Sequence, residues 1–276
     1  MPGFIPLSAS ALRRELSYRN SLRAALHMHE CSYGKIPSYL YRNDGNLHGN
    51  FHPASYQAIQ ACPDWRRRLN KSYTASEFVP RRWDRARSEL DCANSSDALL
   101  MNIFCYPKLL DRPKLRSMLG VERNLSPSFG FKPAIPLHNG KMDRTEIDMS
   151  LGPLLIEAKL TETGFQKAPL ARIQNYRDFE LVFDVDRLPV SNQFILSYQL
   201  VRGVLAAHHL ARSFVVFCDA RRADLVEQWF RVMCAVENCD LRSRLALLTW
   251  QEIASALPLS LQKFLDEKYG ILPAAG

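Results

Sequence analysis

Asp148, Glu157 and Lys159 are the residues whose types and spacing could do chemistry together. They lie in TEIDMSLGPLLIEAKLTE (145–162), where two apolar runs flank Gly152-Pro153 and each run carries charge where a buried strand has none. Asp148 and Glu157 are equidistant from the centre of that turn, so a tight hairpin sets them directly opposite, with Cβ atoms about 4.5–5.5 Å apart on one face. Two carboxylates so placed repel unless a cation sits between them, and Mg²⁺ takes carboxylate and water oxygens in octahedral geometry. Lys159 stands two residues beyond Glu157 and shares that face, while Ile156, Ala158 and Leu160 point to the other. Such a set suits phosphodiester hydrolysis. A metal neutralises charge on the phosphate and lowers the pKa of a bound water, and an ammonium orients the water or stabilises the pentacovalent phosphate. Spacing alone leaves a second reading open, a salt bridge between Lys159 and Glu157 or Asp148 that blunts a sheet edge. The acid-x-Lys pattern recurs in Asp266-Glu267-Lys268, but that stretch belongs to a charge-rich terminal helix (LQKFLDEKYG) whose face is expected to be solvated.

The elements that must position these residues follow from periodicity. From about residue 91, Asn94-Ser95-Ser96 can cap a helix with Ala98, Leu99, Ile103 and Phe104 at helical spacing, and a second short helix ends at Gly120. Strands are expected over roughly 129–136, 144–150 and 153–160, helices over 167–180 and 192–211, a buried strand at 213–219 and an amphipathic helix at 222–236. A strand at 245–249 then runs into a helix opened by the capping box Thr249/Glu252. This alternation is that of a mixed α/β domain. Upstream, 8–30 reads as an amphipathic helix and 31–56 as a long irregular connection with turns at Asn43-Asp44-Gly45 and Gly49-Asn50. The expected organisation is a basic, largely helical region over 1–90 and an α/β domain over 91–276.

Segment 65–87 has eight Arg or Lys against two acids, interleaved with Trp65, Tyr73, Phe78 and Trp83. Cations for phosphates and aromatics for bases make Arg66, Arg67, Arg68, Lys71, Arg81, Arg82 and Arg85 the candidates for nucleic-acid contact. The alternative is a solvated helix face anchored by its tryptophans. The whole chain carries a formal charge of +8, made by 26 arginines against 10 lysines, which raises the prior for a phosphate-bearing partner. The seven cysteines are scattered without a Cys-x-x-Cys pair, as expected of reduced thiols. No apolar run reaches membrane-spanning length and the N-terminus lacks a signal-peptide layout, so the expectation is a cytoplasmic protein with no membrane partner. His48 and His52 are four apart, but Gly49, Asn50 and Pro53 argue against a helical zinc pair. No Gly-rich phosphate loop or G-x-S-x-G elbow is present.

The layout resembles the PD-(D/E)xK, or restriction-endonuclease-like, superfamily of nucleases. Asp148 matches its metal-binding Asp, and Glu157 and Lys159 match its (D/E)-x-K, preceded by Pro153-Leu154-Leu155-Ile156. The helix NSSDALLMNIF (94–104) and the unit SYQLVRGVLAAHHLARSFVVFCD are similar to the first helix and the later helix-strand unit of small prokaryotic members. The resemblance covers roughly 91–255. It implies an αβββαβ core with a mixed central sheet flanked by helices, Mg²⁺ or Mn²⁺ held by Asp148 and Glu157, and hydrolysis of DNA, including restriction or defence as a setting. It also implies accessory roles for Asp97 or Glu89 on or before the first core helix, and for Gln199 and Arg202 on the helix after the lysine. A homodimer is compatible with it. The competing expectation is a nuclease-fold module that binds nucleic acid or mediates assembly without catalysis.

Overall fold

The computed structural model describes residues 5–32, 37–72 and 88–274. Tyr73, Phe78, Arg81, Arg82, Trp83 and Arg85 fall outside them. The main elements, in chain order, are α1 (Ala9–Ala24), α2 (Pro53–Ala61), α3 (Pro63–Arg68), α4 (Ser96–Phe104), β1 (Ser128–Phe131), β2 (Ile147–Leu151), β3 (Leu154–Ala158), α5 (Tyr198–His209), β4 (Ser213–Cys218), α6 (Ala223–Cys234), β5 (Leu245–Thr249) and α7 (Leu259–Tyr269). The described residues divide into two compact units, one from Phe129 to Thr249 and the other made of Leu7–Ser128 with the chain from Trp250 onward.

The first of these units is built on a five-stranded mixed sheet in the order β5-β4-β3-β2-β1. The protein is thus α/β, with the strand-helix alternation of a restriction-endonuclease-like core. β2 and β3 form an antiparallel hairpin in which Leu151 pairs with Leu154, Ser150 with Leu155 and Met149 with Ile156. β4 runs parallel to β3 and β5 parallel to β4, with α5 and α6 in the two connections. All five residues of β3 are buried, as are Phe214 to Cys218 of β4, because helices and chain cover both faces. Leu155, Phe214, Val216 and Cys218 share a core with Val201, Val204 and Leu205 of α5 and with Leu225, Trp229 and Val232 of α6. Gly203 sits where α5 presses on β4, and a Cβ there would collide with the Phe214 ring.

Several expectations shift by a few residues for physical reasons. The helix expected over 192–211 starts at Tyr198, because Phe194–Ile195 pair with Ala168–Pro169 on one side and Val190–Ser191 on the other. The helical signal at 167–180 resolves into Leu170–Gln174 and Phe179–Val182. The connection at 31–56 contains order that has no periodic signature: His29–Cys31 pairs with Tyr39–Tyr41, Asn43–Asp44 with Leu47–His48 around Gly45 at φ +60, and α2 begins at Pro53.

In the other unit, α1 packs against α7, and Asn20 of α1 donates to the carbonyls of Leu16 and Lys268. Ser95 caps α4 through the Ala98 N–H. Asn102 of α4 donates to the Asn50 and Ala98 carbonyls and accepts the His52 N–H, fixing the preceding loop. The terminal helix corrects one expectation. Lys268 is fully buried rather than solvated, donating to Asn20 Oδ1 at 2.9 Å and lying over the Tyr41 and Tyr269 rings. Burial and the nearby Arg23 push its pKa well below the ordinary lysine value.

Candidate active site

The hairpin builds the site from its register. The paired register ends at Met149–Ile156, and Asp148 and Glu157 are the next residues beyond it, one on each strand. At that end the carboxylate of Asp148 replaces a backbone acceptor, taking the Ala158 N–H at Oδ2 over 2.8 Å. Lys159 continues the parallel ladder on the other side, its N–H donating to the Phe217 carbonyl at 2.8 Å. Its Nζ lies 2.5 Å from Glu157 Oε1 and 5.6 Å from the centre of the Phe165 ring. Asp148, Glu157 and Lys159 are therefore brought together on one end of one hairpin.

Burial is graded across this cluster. Glu157 and Lys159 are 1 % and 4 % exposed, whereas Asp148 and Glu162 are half-buried, so the acidic edge reaches solvent above a buried ion pair. Burial opposes the charge of Lys159, but Glu157, Asp148 and Glu162 outweigh it and hold the ammonium above its ordinary pKa. Glu162 folds back to accept the Leu160 N–H at 2.6 Å. Its charge is one of those that hold the Lys159 ammonium.

The segment after Lys159 is clamped by Arg222, which is fully buried and donates to the carbonyls of Leu160 at 3.2 Å and Glu162 at 2.8 Å. No local signal marks Arg222, because the carbonyls it holds lie about sixty residues away in the chain. Gln199 and Arg202 flank the same assembly from α5. The backbone N–H of Gln199 donates to the Phe165 carbonyl, and Arg202 Nη2 donates at 2.7 Å to the Glu146 carbonyl, just before β2. Arg202 is buried, and its Nε and Nη1 have no hydrogen-bond partner among the described residues. Its charge also reaches Asp143. Burial works against that carboxylate, but hydrogen bonds from Thr145 and Tyr176, with Arg202, hold it below the usual range.

The other candidates lie in the second unit. Asp97, 3 % exposed, accepts from Arg68 Nη2 at 2.7 Å and from Lys71 Nζ at 2.8 Å, and Lys71 also pairs with Glu89 at 3.1 Å. Burial opposes the charge of Lys71, but Asp97 and Glu89 hold its pKa above the ordinary value, while burial and Asp97 raise that of Glu89. Arg66 and Arg67 face solvent, with Arg67 paired to Asp64. Trp65 is anchored through Nε1 to the Pro127 carbonyl. His48 and His52 are spent on backbone: His48 accepts the Asn50 N–H and contacts Asp91, and His52 caps α2.

Among the described residues no group of three or more His, Cys, Asp or Glu is arranged to hold a metal. The donor set at the hairpin nevertheless fits a hard divalent cation. Mg²⁺ is held by one or two carboxylates, and water and substrate phosphate complete its shell. Asp148 and Glu157 are two such carboxylates, one on each strand. Among the described residues no helix is long and apolar enough to cross a membrane.

Comparison with known proteins bears on this geometry. The family model described as "Restriction Endonuclease associating with ARP" matches residues 19–270, across both compact units. No curated protein and no solved structure matches the chain.

Proposed function

The chain belongs to this family of restriction endonucleases, and from that premise we propose that it is a Mg²⁺-dependent deoxyribonuclease whose active centre is Asp148, Glu157 and Lys159. The observation that carries the reading is the end of the β2–β3 hairpin, where Asp148 and Glu157, one step beyond the last ladder pair, both act on the buried Lys159. Asp148 and Glu157 would hold the ion. Bound there, Mg²⁺ or Mn²⁺ supplies charge for the phosphate and a water of lowered pKa. Lys159, kept cationic by its three carboxylates, orients that water or neutralises charge developing on the phosphate. Arg202 and Arg222 act through backbone, fixing the start of β2 and the segment after Lys159. In the basic segment 65–87, Arg66 faces solvent and offers a cation for the substrate backbone. The family description names association with ARP, so association with ARP is part of the proposal.

The test is incubation of wild-type and Lys159→Ala protein with plasmid and linear DNA, with and without Mg²⁺ or Mn²⁺. Metal-dependent cleavage by the wild type alone supports the reading. No cleavage under any metal condition, or equal cleavage by both proteins, overturns it. The buried Lys159–Glu157 pair favours one rival, a binding module whose hairpin charges only neutralise each other. That rival predicts DNA binding with a steep salt dependence, no cleavage and no metal affinity.

A further inference from the structure

Ser197 occupies the N-cap position of α5, where a serine hydroxyl ordinarily accepts a hydrogen bond from the first helical turn. Here the backbone sits at φ −131, ψ 53, and the side chain makes no cap bond. The residue is fully buried, and its Oγ has no hydrogen-bond partner among the described residues. A buried hydroxyl left unpaired is destabilising, so a water or ligand group that bonded it would stabilise this end of the helix.

The same serine lines a cavity of about 340 Å³ with Pro189, Leu196 and Gln228. Pro189, Glu227 and Arg231 also border an adjoining cavity of about 610 Å³, so the two form one groove between α6 and the 187–197 segment. Phe230 lines the larger part. It is 56 % exposed on the solvent side of a helix whose buried face is made by Leu225, Trp229 and Val232. The charges along the groove are compensated within the chain: Arg231 with Glu227 at 2.5 Å, Arg187 with Asp184 at 2.9 Å, and Asp224 with Arg222 at 2.8 Å. A balanced rim favours a neutral ligand over an anion. Apolar walls, an exposed aromatic ring, an amide and an unspent hydroxyl suit a flat heterocycle with donors and acceptors at its edge, which describes a nucleobase.

The groove also adjoins the candidate active centre through the chain. Gln228 lies against Gly164, where a Cβ would come within 3.0 Å of its Oε1, and the next residue is Phe165, whose ring lies under Lys159 Nζ. We propose that the groove holds one unstacked base of the substrate strand, with Phe230 stacking on it and Ser197 and Gln228 hydrogen-bonding its edge. The proposal rests on the nuclease reading for its substrate.

The test uses the full chain in metal-free buffer, so that binding is read without cleavage, with short single strands carrying 2-aminopurine as probe. Saturable quenching is expected in the wild type and in Phe230→Tyr, with about tenfold weaker binding in Phe230→Ala, the loss of one stacked base. Ser197→Ala should retain quenching but change the order in which strands of different sequence compete. Unchanged binding and quenching in Phe230→Ala overturn the proposal. Adding Mg²⁺ separates the two readings. Phe230-dependent binding by a protein that never cuts leaves the pocket standing and the nuclease reading fallen. Cutting indifferent to Phe230 does the reverse.

Discussion

Two charged clusters in this protein look alike in composition and differ in arrangement. In the helical unit, Asp97 and Glu89 meet Arg68 and Lys71, two acids against two cations, with Asp97 buried and bonded by both. At the end of the β2–β3 hairpin, Asp148, Glu157 and Glu162 all act on the single ammonium of Lys159. Buried charge has to be compensated. The first cluster is compensated from within and needs nothing else to be a lock between α3 and α4. The second concentrates carboxylates on one lysine and sets its half-buried members towards solvent, an arrangement that a divalent cation would complete. A buried carboxylate bonded by two cations is therefore a poor pointer to chemistry, and a half-buried one at a strand end beside a buried lysine is a better one.

The sharpest way to break this contrast is to remove one acid from each cluster. Asp148→Ala should lower DNA cleavage by about 10³-fold, the equivalent of roughly 4 kcal/mol of transition-state stabilisation. Its effect on the denaturant midpoint should be small, because Asp148 is half-buried and its loss frees one N–H at the edge of the ladder. Asp97→Ala should show the opposite profile. It leaves Arg68 and Lys71 without the carboxylate both of them bond, at a cost of about 3–5 kcal/mol in urea unfolding. Cleavage measured well below its melting temperature should stay near wild type. Equal loss of cleavage in both variants would place Asp97 in the catalytic apparatus and dissolve the distinction.

Metal binding tests the contrast without DNA. A ligand that binds only the folded chain stabilises it by about 2.7 kcal/mol at a hundredfold excess over its Kd. Mg²⁺ or Mn²⁺ should therefore raise the melting temperature of the wild type and of Asp97→Ala, and leave that of Asp148→Ala unmoved. A shift that survives Asp148→Ala would locate the ion elsewhere.

What made the hairpin legible from its residues was locality. A Gly-Pro turn and period-two alternation fix which residues oppose one another within about ten positions, so the register that carries Asp148 and Glu157 to the same end of the hairpin follows without distant information. The apolar run at 213–218 was legible for a related reason, since a strand covered on both faces carries no polar alternation. Lys268 was not. Its partner Asn20 is 248 residues away, and nothing in LQKFLDEKYG distinguishes a lysine turned inward from one in water. Arg222 and the Arg68–Asp97 pair were hidden similarly, because buried cations are placed by tertiary contacts with chain far off in sequence.

The smallest effects separate the clusters by pH, and their signs follow from which way each group is shifted. Lys159 is held above the ordinary lysine value, so its contribution to stability is fully present below pH 10.5 and is lost only as pH rises through its higher folded value. Alkaline unfolding therefore reports on the hairpin, and Lys159→Met should flatten that part of the profile. Glu89 runs the other way. Burial and Asp97 raise its carboxyl above 4.5, so the folded chain holds this proton at a pH where the unfolded chain has released it. The group adds stability as pH falls from neutral through that raised value, and withdraws it as pH rises again. The difference in urea midpoint between wild type and Glu89→Gln, followed from neutral pH down to 4.5, should change in favour of the wild type. A difference that stays constant over that range would mean Glu89 keeps its charge throughout, and that the helical cluster is as fully ionised as its salt bridges suggest.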